Sequence, residues 1–209
     1  MEKDESKTGK HLKNVQKKLM KKNMLFNAAF DLFMTKGEHD TVIDDIVKKA
    51  GVAKGTFYLY FKDKYDLLDN IIYKESCLIT KKALEYVKNV EGSDKMSAVD
   101  KILMFIDYII DYLKNNKKLL KLIYKNLSWG LYRKVVSSPD EFHEIKDSFD
   151  LVLKDLNIVN EDMESIEKSA YIIMELVSSV CYSAIILENP YRIDEIRPEL
   201  HTIIRKILT

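Results

Sequence analysis

Apolar residues recur every three to four positions along most of this chain, and the breaks between those runs divide it into helices. Leu25, Ala29, Leu32 and Phe33 share one face of a first helix expected from about residue 14 to Thr35, with Gly37 ending it. Ile43, Ile46 and Val47, spaced i, i+3, i+4, mark a short second helix. Thr41 stands where it can cap that helix, with Asp44 as the capping-box carboxylate three residues on. Gly51 occupies the C′ position, where a left-handed backbone needs no Cβ. Helical spacing resumes over residues 54–60, with Phe57 and Phe61 four apart on the inward side. Lys54, Thr56, Tyr58, Leu59 and Tyr60 are left on the outer faces. A second helix crossing the first steeply, with an outer surface of cations, hydroxyls and one apolar side chain, fits a DNA major groove.

From Asp63 a long fourth helix is expected to reach about Asn89, which is ~40 Å at 1.5 Å per residue. That is too long for a small head alone, so it must run into the body. Glu91-Gly92-Ser93-Asp94 breaks the pattern, and Ser97 with Asp100 offers a capping box for a helix to about Asn115. Leu119 to Trp129 carry the next apolar run, to about Val136; Ser138-Pro139-Asp140-Glu141 then starts a helix ending near Asn157. Residues 161–188 read as the most apolar helix. From Ser169 to Leu187 there are 19 residues and one charge, Glu175. Length alone permits a membrane span, but Glu175 and the serines make a poor one, so burial against its own domain and a second subunit is expected. Asn189-Pro190 stops it, and a last helix begins near Pro198.

The run AGVAKGTFYLYFKDKYDLL at residues 50–68 resembles the helix-turn-helix signature of the TetR family of bacterial transcriptional regulators. LFNAAFDLFMTKG at 25–37 resembles that family's first helix. Four positions depart from the usual pattern: Ala53 for a capping serine, Val42 for threonine, Tyr60 for histidine and Glu38 for an aromatic residue. The resemblance implies an all-α fold in which a three-helix DNA-binding domain is joined by a long helix to a helical effector-binding and dimerisation domain. The expected division is a disordered basic arm at 1–13, the helix-turn-helix domain at 14–64 and the ligand-binding and dimerisation domain at 65–209. Matched position by position, Lys54, Gly55, Thr56 and Leu59 sit where bases are approached, and Thr41, Tyr58, Tyr60 and Lys64 where phosphates are. The implied partners are a palindromic double-stranded operator, a second copy joined through the last two helices, and a small organic effector.

Composition agrees with a soluble helical protein: 46% hydrophobic, 32% charged, and only six glycines and three prolines to break helices. The net charge of +1 is unevenly spread, since residues 1–64 hold 14 lysines against 9 acids, leaving 20 basic and 24 acidic residues beyond. One end facing phosphate would explain this; chance fluctuation is the alternative. Seven lysines and no acid lie from Lys7 to Lys22, which suits either phosphate contact or a solvated tail. Cys77 and Cys181 form no CxxC or metal spacing, and the charged opening MEKDESK is no signal peptide, so a cytoplasmic protein with reduced thiols, no metal and no cofactor is expected.

Enzyme motifs are lacking: there is no P-loop, GxGxxG or HExxH, and His11, His39, His143 and His201 are scattered. The carboxylate pairs Asp44-Asp45 and Asp107/Asp111 have the spacing of a solvated helix face. In the body, Phe105, Tyr108, Tyr112, Tyr124, Trp129, Tyr171 and Glu175 are candidates to line a pocket for an organic cation, with core packing as the competing account. The reading is a ligand-responsive repressor. An effector-independent DNA-binding protein on the same scaffold, or a helical enzyme or lipid-binding protein, are the alternatives.

Overall fold

A computed structural model describes residues 2–124 and 163–208, and all regular structure among them is helical. In chain order the helices are α1 (Glu2–Lys36), α2 (Ile43–Ala50), α3 (Lys54–Phe57) and α4 (Lys64–Asn89). After a 3-10 turn at Ser93–Lys95 come α5 (Ala98–Asn115), α6 (Lys117–Tyr124), α7 (Met163–Cys181) and α8 (Ile193–Leu208). A π-helical segment, Tyr182–Leu187, continues α7. The expected helix start at Ser138-Pro139, the helix end near Asn157, and Trp129 lie outside the described residues.

The chain divides into two compact units, Met1–Ile72 and Tyr73–Thr209. In the first, α1, α2 and α3 enclose a small core of Leu25, Ala29, Ile46, Phe57 and Phe61, all buried. The first turns of α4 belong to this unit and carry the buried Leu67, Leu68, Ile71 and Ile72. The backbone of α1 is helical from Glu2, where the sequence suggests an irregular arm over residues 1–13. Lysine and glutamate favour helix there, and Gly9 is the one strong breaker.

In the second unit α5 packs on α6, α7 and α8, burying Leu103, Ile106, Ile110 and Leu113 on one stripe. Ser97 caps its start: the Asp100 N–H donates to Ser97 Oγ at 3.1 Å, and the Asp100 carboxylate accepts from Ser97 Oγ at 2.6 Å, where a capping box would use the Ser97 backbone N–H. That bond, then the Arg205 guanidinium, hold the Asp100 carboxyl below the usual aspartate range. Ser97→Ala is expected to cost about 1 kcal/mol. Urea titration of the variant should show a lower midpoint at unchanged slope.

α8 begins at Ile193, five residues ahead of Pro198, where the sequence places its start. The Arg192 N–H donates to Glu195 Oε2 at 3.0 Å, and the acids Asp194 and Glu195 favour the positive helix end. The proline therefore sits one turn in and removes a single backbone donor.

The span Lys168–Leu187 is long and apolar enough to cross a membrane by length and composition, and 22% of it is buried in this chain. Its exposed side carries Tyr171, Ile172 and Glu175. Cys181, the last residue of α7, is fully buried, and burial pushes its thiol pKa up to about 12.

Candidate nucleic-acid interface

The turn between α2 and α3 is fixed by backbone geometry. Gly51 has φ 66 and ψ 33, its N–H donates to the Lys48 carbonyl, and the Val52 N–H reaches back to the Val47 carbonyl at 3.1 Å. This pair of bonds is a Schellman motif, which ends α2 and redirects the chain within two residues. The Asp63 carboxylate then accepts from the N–H groups of Tyr65 and Asp66 at 2.8 and 2.9 Å, fixing the start of α4. Between these two fixed points lies α3.

Helix α3 is shorter than its spacing suggests. Regular helix covers only Lys54–Phe57, and residues 58–60 continue as a tight turn. There the Leu59 N–H donates to the Thr56 carbonyl, while Tyr60 and Phe61 N–H groups share the Phe57 carbonyl at 3.0 Å each. A Phe57–Phe61 pair four residues apart satisfies a helix and a helix-plus-turn equally well, so periodicity does not separate the two. The rings lie 5.7 Å apart, with Phe57 fully buried and Phe61 2% exposed. This pair anchors the segment and turns the other side chains outward.

Lys54, Gly55, Tyr58 and Leu59 are exposed, with Leu59 77% exposed, and Thr56 and Tyr60 half-buried. A Cβ added at Gly55 would meet no atom within 4 Å, so nothing in this chain stops a groove wall from approaching the backbone there. Lys54 Nζ lies 2.7 Å from Asp44 Oδ1, a pairing that raises the ammonium pKa. The pair is solvent-exposed and worth little, so phosphate or a base edge can displace it.

Two expected phosphate contacts take other roles. Thr41 is fully buried, and its hydroxyl donates to the Gly37 carbonyl at 2.7 Å instead of capping α2 or facing solvent. Val42 is the N-cap, without a side-chain bond. Gly37, at φ 88, reverses the chain and leaves its carbonyl needing a donor, which Thr41 supplies. Lys64 Nζ donates to three carbonyls, those of Glu38, His39 and Thr41, at 2.8, 3.2 and 3.0 Å. All three ammonium hydrogens are then committed to the α1–α2 loop.

Nor are the carboxylate pairs merely solvated. Asp45 accepts from Lys36 at 2.8 Å, Asp44 pairs with Lys54, and the Lys36 hydrogen bond lowers the Asp45 pKa. In the second unit Asp107 meets His201 Nε2 at 2.9 Å and Arg197 at 3.6 Å, Asp111 takes Arg197 at 2.5 Å, and Asp100 pairs with Arg205. Arg197, His201 and Arg205 recur every four residues on α8, opposite the acids of α5, and form a ladder of two ion-paired arginines with a hydrogen-bonded histidine between them. The period on α8 was visible in the sequence; its partners, up to 105 residues away, were not.

A cavity of about 760 Å³ lies along this ladder, and Tyr86, Tyr108 and Tyr112 supply its aromatic wall. Of the aromatic candidates among the described residues it gathers Tyr108 and Tyr112. Tyr124 stacks on Tyr182 at 4.0 Å, Tyr171 and Glu175 are exposed, and Phe105 is half-buried away from the lining. The charged part of the wall is three aspartates, Asp100, Asp107 and Asp111, and two arginines, Arg197 and Arg205.

The first unit is a helix-turn-helix on a helical body, the architecture of DNA-binding regulators. Residues 25–71 match the family model described as bacterial regulatory proteins, tetR family. It is 33% identical over 114 residues to the transposon Tn10 TetC protein of Escherichia coli, 53% of this chain and 55% of that protein. The chain spans about half the length of the curated relatives it matches. Among solved structures it resembles FadR of Bacillus subtilis in complex with stearoyl-CoA (TM-score 0.56, 20% identity, 87% of this chain and 96% of that one). It also resembles the Thermus thermophilus FadR repressor in complex with lauroyl-CoA (TM-score 0.59, 18% identity, 90% and 92%). At these identities the likeness concerns the fold.

Proposed function

We propose that this protein is a ligand-responsive transcriptional repressor of the bacterial cytoplasm that binds a palindromic operator as a homodimer. The observation that carries the reading is the α3 segment: two buried phenylalanines hold it, and Lys54, Gly55, Tyr58 and Leu59 stand clear of the rest of their unit. The first unit would read DNA, and the second would dimerise and take the effector. Lys54, Gly55, Thr56 and Leu59 would approach base edges, and Tyr58 and Tyr60 the flanking phosphates. Two such segments about 34–36 Å apart would enter successive major grooves. The exposed apolar positions Tyr171 and Ile172 on α7 and Ile203 on α8 would meet their copies across the two-fold axis. Because α4 contributes residues to both units, an effector in the second can bias the first, and operator and effector must then weaken each other equally. The acyl-CoA complexes of the FadR proteins support an organic effector.

Duplex binding tests this directly. The wild-type protein should prefer the DNA upstream of its own coding sequence over random duplex at fixed salt. Lys54→Ala with Tyr58→Phe should weaken specific binding on the order of tenfold to a hundredfold and leave the fold intact. A wild-type protein that binds no duplex even at low salt would sink the proposal.

A further inference from the structure

The lysines around α3 are mostly occupied. Lys36 pairs with Asp45, Lys49 with Asp31 and Lys54 with Asp44, and Lys64 is spent on three carbonyls. The part of α1 that precedes its buried face differs. No acid lies between Glu5 and Asp31, and Lys17, Lys18, Lys21 and Lys22 are all exposed. Among the described residues, none of the four is paired with a carboxylate.

Helical register gives these lysines a direction. Lys18 and Lys22 each stand seven residues, about two turns, before Leu25 and Ala29, the fully buried residues with which α1 faces its own unit. Lys21 lies one turn before Leu25, and Lys17 one turn before Lys21. The stripe thus continues the inward face of α1 beyond the point where the unit's core stops. Lys22 shows where it leads: its Nζ sits 5.9 Å from the centre of the Phe61 ring, next to Tyr60 at the end of the α3 segment. Like charges at i, i+4, as in Lys17/Lys21 and Lys18/Lys22, disfavour a helix unless a counter-charge lies against them. A polyanion beside α3 is that counter-charge.

We propose that this stripe of α1 is a second DNA-binding element, which grips backbone phosphates flanking the segment read by α3 and is blind to base sequence. It rests on the reading of the first unit as DNA-binding, and it assigns to α1 the salt-sensitive share of the affinity. Lysines on a helix lying along phosphates act as point charges, so each one removed should lower the steepness of log K against log salt by about 0.9 per protomer.

The test uses the full chain and a variant carrying Lys17→Gln, Lys18→Gln and Lys21→Gln, with Lys22 kept because of its contact with Phe61. Binding to an upstream duplex and to random duplex is followed from 50 to 200 mM salt, with circular dichroism as the folding check. The expected result is a shallower salt slope and a similar fold loss on both duplexes, with the slope restored when the same positions carry arginine. Equal slopes for variant and wild type would overturn the proposal and leave α3 recognition standing. Wild-type protein that binds neither duplex would overturn the DNA reading itself. Lysine-dependent sedimentation with phosphatidylserine vesicles, without a change in duplex slope, would assign the stripe to a lipid surface instead.

Discussion

Phe57→Ala is expected to melt the first unit and abolish duplex binding while the second unit stays folded. Phe57 is fully buried and touches both Tyr58 and Phe61, so its removal empties the centre of the small core that α1, α2 and α3 enclose. Phenylalanine-to-alanine changes in cores cost about 3–5 kcal/mol. A domain near seventy residues has roughly 4–10 kcal/mol in total, so the loss approaches the whole. The second unit has its own buried stripe on α5 and loses nothing directly. Hydrogen exchange read by mass spectrometry should show lost protection over residues 43–61 and retained protection over 98–113. Retained protection in both regions would mean that the phenylalanine pair does not hold α3 in place.

The second large effect separates two roles for Lys64. As the donor to three loop carbonyls, its replacement by alanine should destabilise the first unit by about 1.5–3 kcal/mol, the range for hydrogen bonds to a charged group. Well below the lowered melting point, the variant should bind duplex almost as tightly as wild type. A phosphate ligand predicts the reverse: unchanged stability and a shallower salt dependence. Thermal denaturation beside a salt titration on the same sample distinguishes them.

Where neighbours in sequence set the outcome, the sequence was a good guide. The Ser97 cap, the glycine-terminated α2, the start of α4 at Asp63 and the buried Phe57–Phe61 pair all depend on groups within four residues of one another. Errors arose where a distant partner or a competing local bond decided. Thr41 can cap a helix, but an unsatisfied carbonyl at Gly37 claims its hydroxyl first. Lys64 looks free until the loop 23 to 26 residues earlier folds over it. Asp107 and Asp111 read as solvent-facing until α8 brings Arg197 and His201 against them. Pro198 reads as a start signal, yet the Glu195 bond to the Arg192 amide moves the start upstream. In the candidate interface, the exposed residues of α3 were legible from spacing, whereas the brevity of its regular helix was not.

Cys181 gives the body an internal clock. Thiolate, not thiol, attacks alkylating reagents, and a group held near 12 in a sealed environment offers almost none at neutral pH. Any modification must therefore wait for α7 and its neighbours to part, and the labelling rate counts those partings. An effector that settles into the helices around it would slow the count, and one that loosens them would quicken it.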